Sequence, residues 1–322
     1  MTQARLTAIG MAVPEKRIDN QYFESIIDTT DEWIVSRTGI RTRYYTGPGE
    51  FTSDLCIKAA KDLSEKYGVA LDDVDMVIVS TVSPDQPMPS MACRVQYRLG
   101  LAQAGGVDVY AACAGFSYGI VLAKGLIAAG THRKILVIGA ETLSKMTDFS
   151  DRSSCMLFGD GAGAVLIEAA EQGNIGACVT GANGEGGPDL YISGLAPTMD
   201  GQPLTMTGKI VQNGRKVFKW AVVKMSEQMK VLAAKNGLTL DQIDWFVPHS
   251  ANLRIIEAIC NETGFPFEKT LESIVNYGNT SSASIPLALY DGIRSGKVKR
   301  GDRIMLLGFG GGLAYAGTVL QW

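Results

Sequence analysis

The chain has 322 residues, of which 46% are hydrophobic and 20% charged, with a net charge of −3. Single hydrophobic cores stop growing at about 250–300 residues, so we expect two domains or two halves. The slightly acidic charge argues against a nucleic-acid-binding protein. Six cysteines without CxxC spacing indicate neither a zinc site nor a disulfide framework. With no signal peptide and no apolar run approaching ~18 residues, we expect a cytoplasmic protein that does not bind membranes.

Apolar runs and helical periodicity alternate along the chain, which predicts an α/β protein. The predicted strands are 4–13, 74–81, 105–110, 134–139, 243–248 and 303–308. The predicted helices are 31–39, 52–67, 90–99, 116–129, 217–234, 252–260 and 285–293. Residues 181–214 are rich in Gly, Pro, Thr and Asn and predict a long irregular connection.

The glycines of 158–163 precede an apolar strand. A dinucleotide-binding fingerprint has the opposite order, because its glycines follow a strand and open a helix. We therefore interpret this segment as a turn that binds no phosphate.

Cys113 lies between the apolar strand ending at Tyr110 and the helix that begins near Phe116. A thiol at a helix N-terminus faces unpaired N–H groups and the positive end of the helix dipole, which favour the nucleophilic thiolate. The sequence therefore predicts a lowered pKa for Cys113. The alternative, a buried cysteine that packs as a small hydrophobic residue, stays open on the local sequence.

The two halves of the chain share one spacing. Asp75 and Asp244 each precede an apolar strand and are 169 residues apart, and Gly139 and Gly308 each close a later strand at the same spacing. This predicts a duplicated α/β unit, with an N-terminal half at 1–175 and a C-terminal half at 176–322. The duplication would bring Cys113 together with residues from loops of the second half.

Two residues of the second half are candidates for that site. His249 directly follows an apolar strand, although a lone histidine is more often structural than catalytic. Asn279 lies in a Gly- and Ser-containing loop before a helix, where an asparagine can equally be an N-cap or turn residue. The other histidine, His132, is interpreted as a solvated turn residue.

Four motifs together resemble the β-ketoacyl-acyl-carrier-protein synthase III family of condensing enzymes, which belongs to the thiolase superfamily. They are Ala112-Cys113-Ala114-Gly115-Phe116, Pro248-His249-Ser250-Ala251-Asn252, the run 276–282 and Gly308-Phe309-Gly310-Gly311-Gly312. The resemblance extends from Leu6 to Trp322. It implies a duplicated thiolase-like fold with five α-β-α-β-α layers.

The resemblance also implies an initiating condensing enzyme of type II fatty acid synthesis. The family's Cys-His-Asn triad corresponds to Cys113, His249 and Asn279, with an oxyanion hole at the backbone N–H groups of Cys113 and Gly311. An acyl group from acyl-coenzyme A would be loaded on Cys113 and condensed with malonyl-acyl carrier protein. The coenzyme A thioester is then a substrate, and no metal or other cofactor is implied.

Further roles follow from the same resemblance. It implies coenzyme A and pantetheine contacts at Trp33, Arg37, Thr38, Arg152, Gly214, Phe218 and Asn252. It implies acyl carrier protein contacts at Lys219 and Arg254, and an acyl pocket at Met88 and Phe309. Met88 would cross the interface of a homodimer to close the partner's pocket. An arginine-flanked Trp33 also has a plain interpretation, as a packed tryptophan beside solvated arginines.

Two departures from the family pattern bear on substrate choice. Ser250 stands where the family usually has Gln, and 208–215 is longer than usual beside the pantetheine tunnel. Residues 308–312 lack the second cysteine of degradative thiolases, and Asn279 replaces the second histidine of elongating synthases. A related condensing enzyme of a secondary-metabolite pathway and a non-catalytic acyl-binding homologue stay open as alternatives, and the primer preference is not fixed.

Overall fold

A computed structural model describes residues 2–322. In chain order the strands are β1 Gln3–Ala12, β2 Lys16–Asp19, β3 Thr42–Tyr45, β4 Met76–Ser80, β5 Gly105–Val109, β6 Lys134–Thr142, β7 Asp160–Ala170, β8 Ile175–Ala182, β9 Leu190–Ile192, β10 Thr198–Met199, β11 Gln202–Pro203, β12 Ile210–Gln212, β13 Trp245–Pro248, β14 Arg303–Gly310 and β15 Ala314–Gln321. The helices are α1 Asn20–Glu24, α2 Asp31–Thr38, α3 Thr52–Tyr67, α4 Met91–Arg98, α5 Gly115–Ala128, α6 Gly214–Lys235, α7 Leu253–Thr263, α8 Ile274–Tyr277 and α9 Ser284–Arg294.

Two sheets of matching strand order form the framework. The first has the order β1-β7-β6-β4-β5, with β4 parallel to β5 and β6, and β7 antiparallel to β1 and β6. The second has the order β8-β15-β14-β13, with β13 parallel to β14, and β15 antiparallel to β14 and β8. The second sheet repeats the first without a counterpart of β5, which confirms the predicted duplication. The predicted boundary between 175 and 176 falls at the start of β8.

Apolar clusters divide the molecule into five layers. The central cluster contains residues of α5 and α9 together with residues from both sheets, such as Ile78 and Leu306. A second cluster joins α3 and α4 to the outer face of the first sheet, and a third joins α6 and α7 to the outer face of the second. The strands of each sheet are therefore covered on both faces, which is why they occur as continuous apolar runs.

The duplication is also visible in two short 3₁₀ turns, one in each half. They span Ala112–Ala114 and Ser281–Ala283, and their first residues are 169 positions apart. Ala112 has φ 46° and Ser281 has φ 48°, a conformation that costs a non-glycine residue about 1–3 kcal/mol. Each turn opens a central helix, so the halves place equivalent strained turns against each other.

Two segments differ from the sequence prediction. The glycines at 161 and 163 lie inside β7 rather than in a turn before it. A Cβ at Gly163 would lie 2.4 Å from the Pro286 Cβ, so close packing of α9 explains this glycine. The connection at 181–214 contains the end of β8 and two small sheets, β10-β11 and β9-β12.

Within residues 2–322, no helix has the length and hydropathy needed to cross a membrane.

Candidate active site

A cavity of about 380 Å³ lies between the two halves. Its walls come from both halves, since Cys113 follows β5 and His249 and Asn279 follow elements of the second half. The apolar lining around them includes Val82, Leu143, Leu157, Phe158, Leu190, Ile192, Ile210 and Phe309. The structure thus brings all three members of the predicted triad to one cavity.

The Cys113 thiol is enclosed, although part of the residue faces the cavity. Burial raises the pKa of this thiol to about 12, and the nearby Glu141 carboxylate adds to the rise. The Ser281 hydroxyl and the backbone N–H groups of Cys113 and Gly311 act in the opposite direction and are outweighed. The prediction of a lowered pKa is therefore wrong for the free protein, because desolvation dominates at this helix N-terminus.

The glycine loop after β14 packs directly against the nucleophile. A Cβ at Gly310 would lie 2.7 Å from the Cys113 Cβ and 2.9 Å from its Sγ, so only glycine fits. The backbone N–H groups of Cys113 and Gly311 both face the sulfur. Two fixed donors beside a reacting carbonyl are the arrangement that stabilises an oxyanion.

His249 directly follows the last residue of β13 and is 1% exposed. Its Nδ1 lies 2.7 Å from the Ser284 Oγ, which also accepts the Ser250 N–H at 3.3 Å. Burial lowers the pKa of His249 to about 3, so the ring is neutral at physiological pH. Because Ser284 already accepts from Ser250, its hydroxyl hydrogen can go to Nδ1, and this leaves the ring proton on Nε2. His249 then offers an N–H donor to the cavity.

Asn279 is held by its backbone and by its own side-chain oxygen. Its N–H donates to the Leu157 carbonyl at 2.8 Å, and its Oδ1 accepts the Ser281 N–H at 2.9 Å. The second bond fixes the orientation of the amide, since only the oxygen can accept. The Nδ2 group makes no hydrogen bond within residues 2–322, which leaves a second donor for a ligand in the cavity.

Six of the seven residues predicted to contact coenzyme A or pantetheine fall into two groups. Gly214, Phe218 and Asn252 line the cavity. The Arg152 guanidinium lies 5.2 Å above the Trp33 ring and that of Arg37 lies 6.0 Å from it, outside the cavity.

Thr38 is 3% exposed, and its hydroxyl donates to the Ile34 carbonyl at 2.7 Å. That hydroxyl is already engaged at the end of α2. The predicted ligand contact of Thr38 stays a prediction.

Lys219 and Arg254 are exposed on α6 and α7, two helices that pack together. Phe218 and Ile255, their neighbours in the chain, line the cavity, so both cations stand near it. Neither forms an ion pair in the described part of the chain. Met88 is 84% exposed and does not line the cavity of its own chain.

Two residues of the site carried no role in the sequence prediction. Glu141, at the end of β6, is fully buried, and Ser281 lines the cavity beside Cys113. A carboxylate inside the apolar run 134–142 was the available signal, because a charged residue in a buried strand requires partners.

Comparisons with known proteins agree with this architecture. The family model "3-Oxoacyl-[acyl-carrier-protein (ACP)] synthase III" matches residues 107–184, and its C-terminal counterpart matches 233–322. A curated β-ketoacyl-[acyl-carrier-protein] synthase III 2 from Halalkalibacterium halodurans is 54% identical, over 100% of this chain and 97% of its own. The one from Bacillus subtilis is 51% identical, over 100% and 99%. A solved synthase III from Thermus thermophilus superposes with TM-score 0.95 at 43% identity, covering 99% of both chains.

Proposed function

Because the chain belongs to the β-ketoacyl-acyl-carrier-protein synthase III family, we propose that it is an initiating condensing enzyme of type II fatty acid synthesis. It loads an acyl group from acyl-coenzyme A onto Cys113. It then condenses that group with malonyl-acyl carrier protein, giving β-ketoacyl-acyl carrier protein, carbon dioxide and coenzyme A. The observation that carries the proposal is the convergence of Cys113, His249 and Asn279 on one cavity between the halves.

In the first half-reaction, the Cys113 sulfur attacks the thioester carbonyl. The oxygen gains negative charge, which the N–H groups of Cys113 and Gly311 stabilise. Collapse of the intermediate releases coenzyme A and leaves an acyl-cysteine. The covalent intermediate divides one difficult transfer into two easier steps.

In the second half-reaction, malonyl-acyl carrier protein loses carbon dioxide and its thioester oxygen becomes an enolate. His249 and Asn279 offer neutral N–H donors to this oxygen, each typically contributing about 3–4 kcal/mol in such a role. A histidine with a pKa of about 3 supports this assignment, since it remains a neutral donor through the reaction. The carbanion then attacks the acyl-cysteine.

The proposed substrate-binding roles follow from membership of the family. Gly214, Phe218 and Asn252 line the cavity and are proposed to line the pantetheine path. The adenine is proposed to enter between Trp33 and Arg152, which are in direct contact at 5.2 Å and must separate to admit it, with the phosphates near Arg37. The unpaired cations of Lys219 and Arg254 suit an acidic carrier protein. The reaction as proposed uses coenzyme A only as the carrier of the acyl substrate and draws on no further cofactor.

We further propose a cytoplasmic homodimer. Six free cysteines suit a reducing compartment. The strand β5 forms an unpaired edge of the first sheet, and Met88, Tyr97, Val107 and Tyr110 near it are exposed. An exposed edge strand of this kind is a template for pairing with a second chain.

Intact-protein mass spectrometry tests the proposal directly. The protein is offered acetyl-, isobutyryl- and hexanoyl-coenzyme A, and we expect the mass of one acyl group on the wild-type chain and none on Cys113→Ala. Labelling of Cys113→Ala equal to that of the wild type would refute the nucleophile. The His249→Ala variant is expected to acylate but to release no carbon dioxide from malonyl-acyl carrier protein.

Reaction with malonyl-acyl carrier protein distinguishes the proposed function from that of related condensing enzymes. Malonyl-acyl carrier protein added to the acylated protein should clear the label and yield β-ketoacyl-acyl carrier protein. An acyl-enzyme that ignores malonyl-acyl carrier protein would instead indicate a condensing enzyme with another nucleophilic substrate.

A further inference from the structure

Arg43, in β3, is a fully buried arginine that pairs with no carboxylate. None of the ion pairs within residues 2–322 involves it. Its Nη1 donates to the Asn20 Oδ1 at 2.7 Å and its Nη2 to the Met156 carbonyl at 2.6 Å. The guanidinium also lies 4.6 Å from the centre of the Phe23 ring. Burying a cation without an opposite charge is costly, so the two neutral acceptors indicate that the cation is kept to hold them in place.

The Met156 carbonyl belongs to a short segment that pairs with the catalytic asparagine. The Leu157 carbonyl accepts the Asn279 N–H at 2.8 Å, and the Gly159 N–H donates to the Asn279 carbonyl at 3.0 Å. Phe158, between them, forms a parallel bridge with Asn279. A bond that fixes the Met156 carbonyl therefore fixes the start of the segment on which the Asn279 backbone rests.

The stem of Arg43 packs against the same pair of segments. A Cβ at Gly159 would lie 3.1 Å from the Arg43 Cβ, and a Cβ at Gly278 would lie at the same distance. These glycines directly follow Phe158 and precede Asn279, and Gly278 has φ 66°. Since neither carries a side chain, the backbone around Asn279 can approach Arg43 closely.

Asn20 fixes the direction of the guanidinium. Its Oδ1 accepts from Arg43, so its Nδ2 is the donor of the amide. This Nδ2 donates to the Asp31 Oδ1 at 2.7 Å and to the Ile40 carbonyl at 2.9 Å. Asp31 begins α2 and Ile40 lies just beyond its end, so Asn20 is anchored at both ends of the helix that carries Trp33.

We propose that Arg43 is a positioning residue for Asn279, which it holds through the Met156 carbonyl and the pairing of 157–159 with Asn279. Arg43 itself touches no substrate. A misplacement of a reacting or stabilising group by about 1 Å costs about 100-fold in rate. The inference rests on the proposed function, in which the Asn279 amide serves the decarboxylation step and not the attack by Cys113. Loss of Arg43 should therefore separate the two half-reactions.

Arg43→Met tests this separation, because methionine keeps an unbranched stem and removes both donors. Release of carbon dioxide from malonyl-acyl carrier protein, labelled in its free carboxyl group, should fall by about 10- to 100-fold at saturating substrate. Acylation of Cys113 by acetyl-coenzyme A, followed by rapid-quench intact mass, should stay within about threefold of the wild type. Carbon dioxide release within twofold of the wild type would overturn the proposal, and so would equal losses in the two half-reactions.

A double substitution shows whether Arg43 acts through Asn279. Asn279→Ala removes the amide that Arg43 is proposed to position. Adding Arg43→Met to that variant should slow carbon dioxide release by less than about threefold further, because residues that act through one group are not additive. If the two losses multiply instead, Arg43 acts elsewhere and the assignment is wrong.

Phe23→Leu is the matched control. It trims the ring that lies against the guanidinium and leaves both hydrogen-bond acceptors in place, so carbon dioxide release should stay within twofold of the wild type. A loss as large as that of Arg43→Met would indicate a packing role and contradict the proposal.

Arg43→Lys carries the test if Arg43→Met does not fold. Lysine keeps the cation but lacks the planar fork that reaches Asn20 and Met156 together. We expect carbon dioxide release to fall by about three- to tenfold with acylation unchanged. Release equal to that of the wild type would contradict the need for the fork.

Hydrogen exchange tests the positioning without relying on catalysis. The amides of Gly159 and Asn279 should exchange about tenfold faster in Arg43→Met than in Phe23→Leu, because their pairing has lost its anchor. A wild type that releases no carbon dioxide from malonyl-acyl carrier protein would refute the proposed function and leave this prediction standing. A wild type that releases it, with Arg43→Met unchanged in rate and in exchange, would refute the positioning role alone.

Discussion

Gly310 sets the distance between the second half of the molecule and the nucleophile. A methyl group there would lie 2.7 Å from the Cys113 Cβ, and neither backbone can retreat without moving a central element. We expect Gly310→Ala to displace Cys113 from its two N–H donors and to slow acylation by about 100-fold, as a misplacement of about 1 Å does.

Gly125→Ala on α5 is the control for that substitution, because a Cβ at Gly125 meets nothing within 4 Å. It should acylate at the wild-type rate, as followed by time-resolved mass spectrometry. A Gly310→Ala variant as fast as Gly125→Ala would show that the loop moves freely.

His249 makes the free energy of unfolding depend on pH. Its pKa is about 3 in the folded protein and about 6.5 in the unfolded chain. Below pH 6.5 the unfolded state therefore binds a proton that the folded state refuses, and the free energy of unfolding falls as pH decreases, by up to about 1.4 kcal/mol per pH unit. This contribution to stability is complete above pH 6.5.

His249→Gln should lose about 2 kcal/mol less than the wild type between pH 7 and pH 5, since it lacks this titration. Urea unfolding at the two pH values measures the difference, and carboxylates common to both proteins cancel. Equal losses in the two proteins would mean that His249 is protonated in the folded state.

Element β12 forms one wall of the cavity. Ile210 and Gln212 line it, whereas Val211 between them does not, as the alternation of a strand requires. Ile210 packs against Leu143 and Phe158 in the apolar part of the cavity, which we propose holds the acyl chain. Ile210→Ala should widen this part and raise the ratio of hexanoyl to acetyl loading by about tenfold, the scale on which a hydrophobic pocket discriminates methylene groups.

Val211→Ala removes a similar volume from the other face of the same strand and should leave the ratio unchanged. Competition between the two coenzyme A thioesters, read by intact mass, compares the variants. A shift common to both would indicate that the strand as a whole has loosened.

The elements around this cavity wall show which features can be predicted from local sequence and which cannot. The helix predicted at 217–234 lies within α6, Gly214–Lys235, because its apolar periodicity is local. β9 and β12 are three-residue strands that exist only through pairing with each other, so 181–214 was predicted as irregular. Likewise, the motif around Cys113 predicted its place before α5, whereas its raised pKa depends on burial by the glycine loop about 200 residues later.

At the scale of the whole molecule, the duplication leaves one asymmetry. Among residues 2–322, β5 presents an unpaired edge in the first sheet, whereas the equivalent side of β13 is met only by an isolated bridge from Phe246 to Thr270. Val107, at the centre of β5, is 43% exposed. Pairing of two β5 edges would join two five-stranded sheets into one and cover the apolar side chains around them.

A lysine at this edge opposes such pairing, because two like charges would meet across the axis and lose hydration. Val107→Lys is therefore expected to elute with the 34.4 kDa mass of one chain, and the wild type with twice that mass, in size-exclusion chromatography with light scattering. Val223→Lys, on the exposed face of α6, adds the same charge to another valine that is 64% exposed and should remain dimeric. A wild type at 34.4 kDa, or a dimeric Val107→Lys, would place the interface elsewhere or remove it. If the dimer forms as proposed, Val107→Lys should also lose acyl-chain selectivity, because Met88 could no longer reach the partner's pocket.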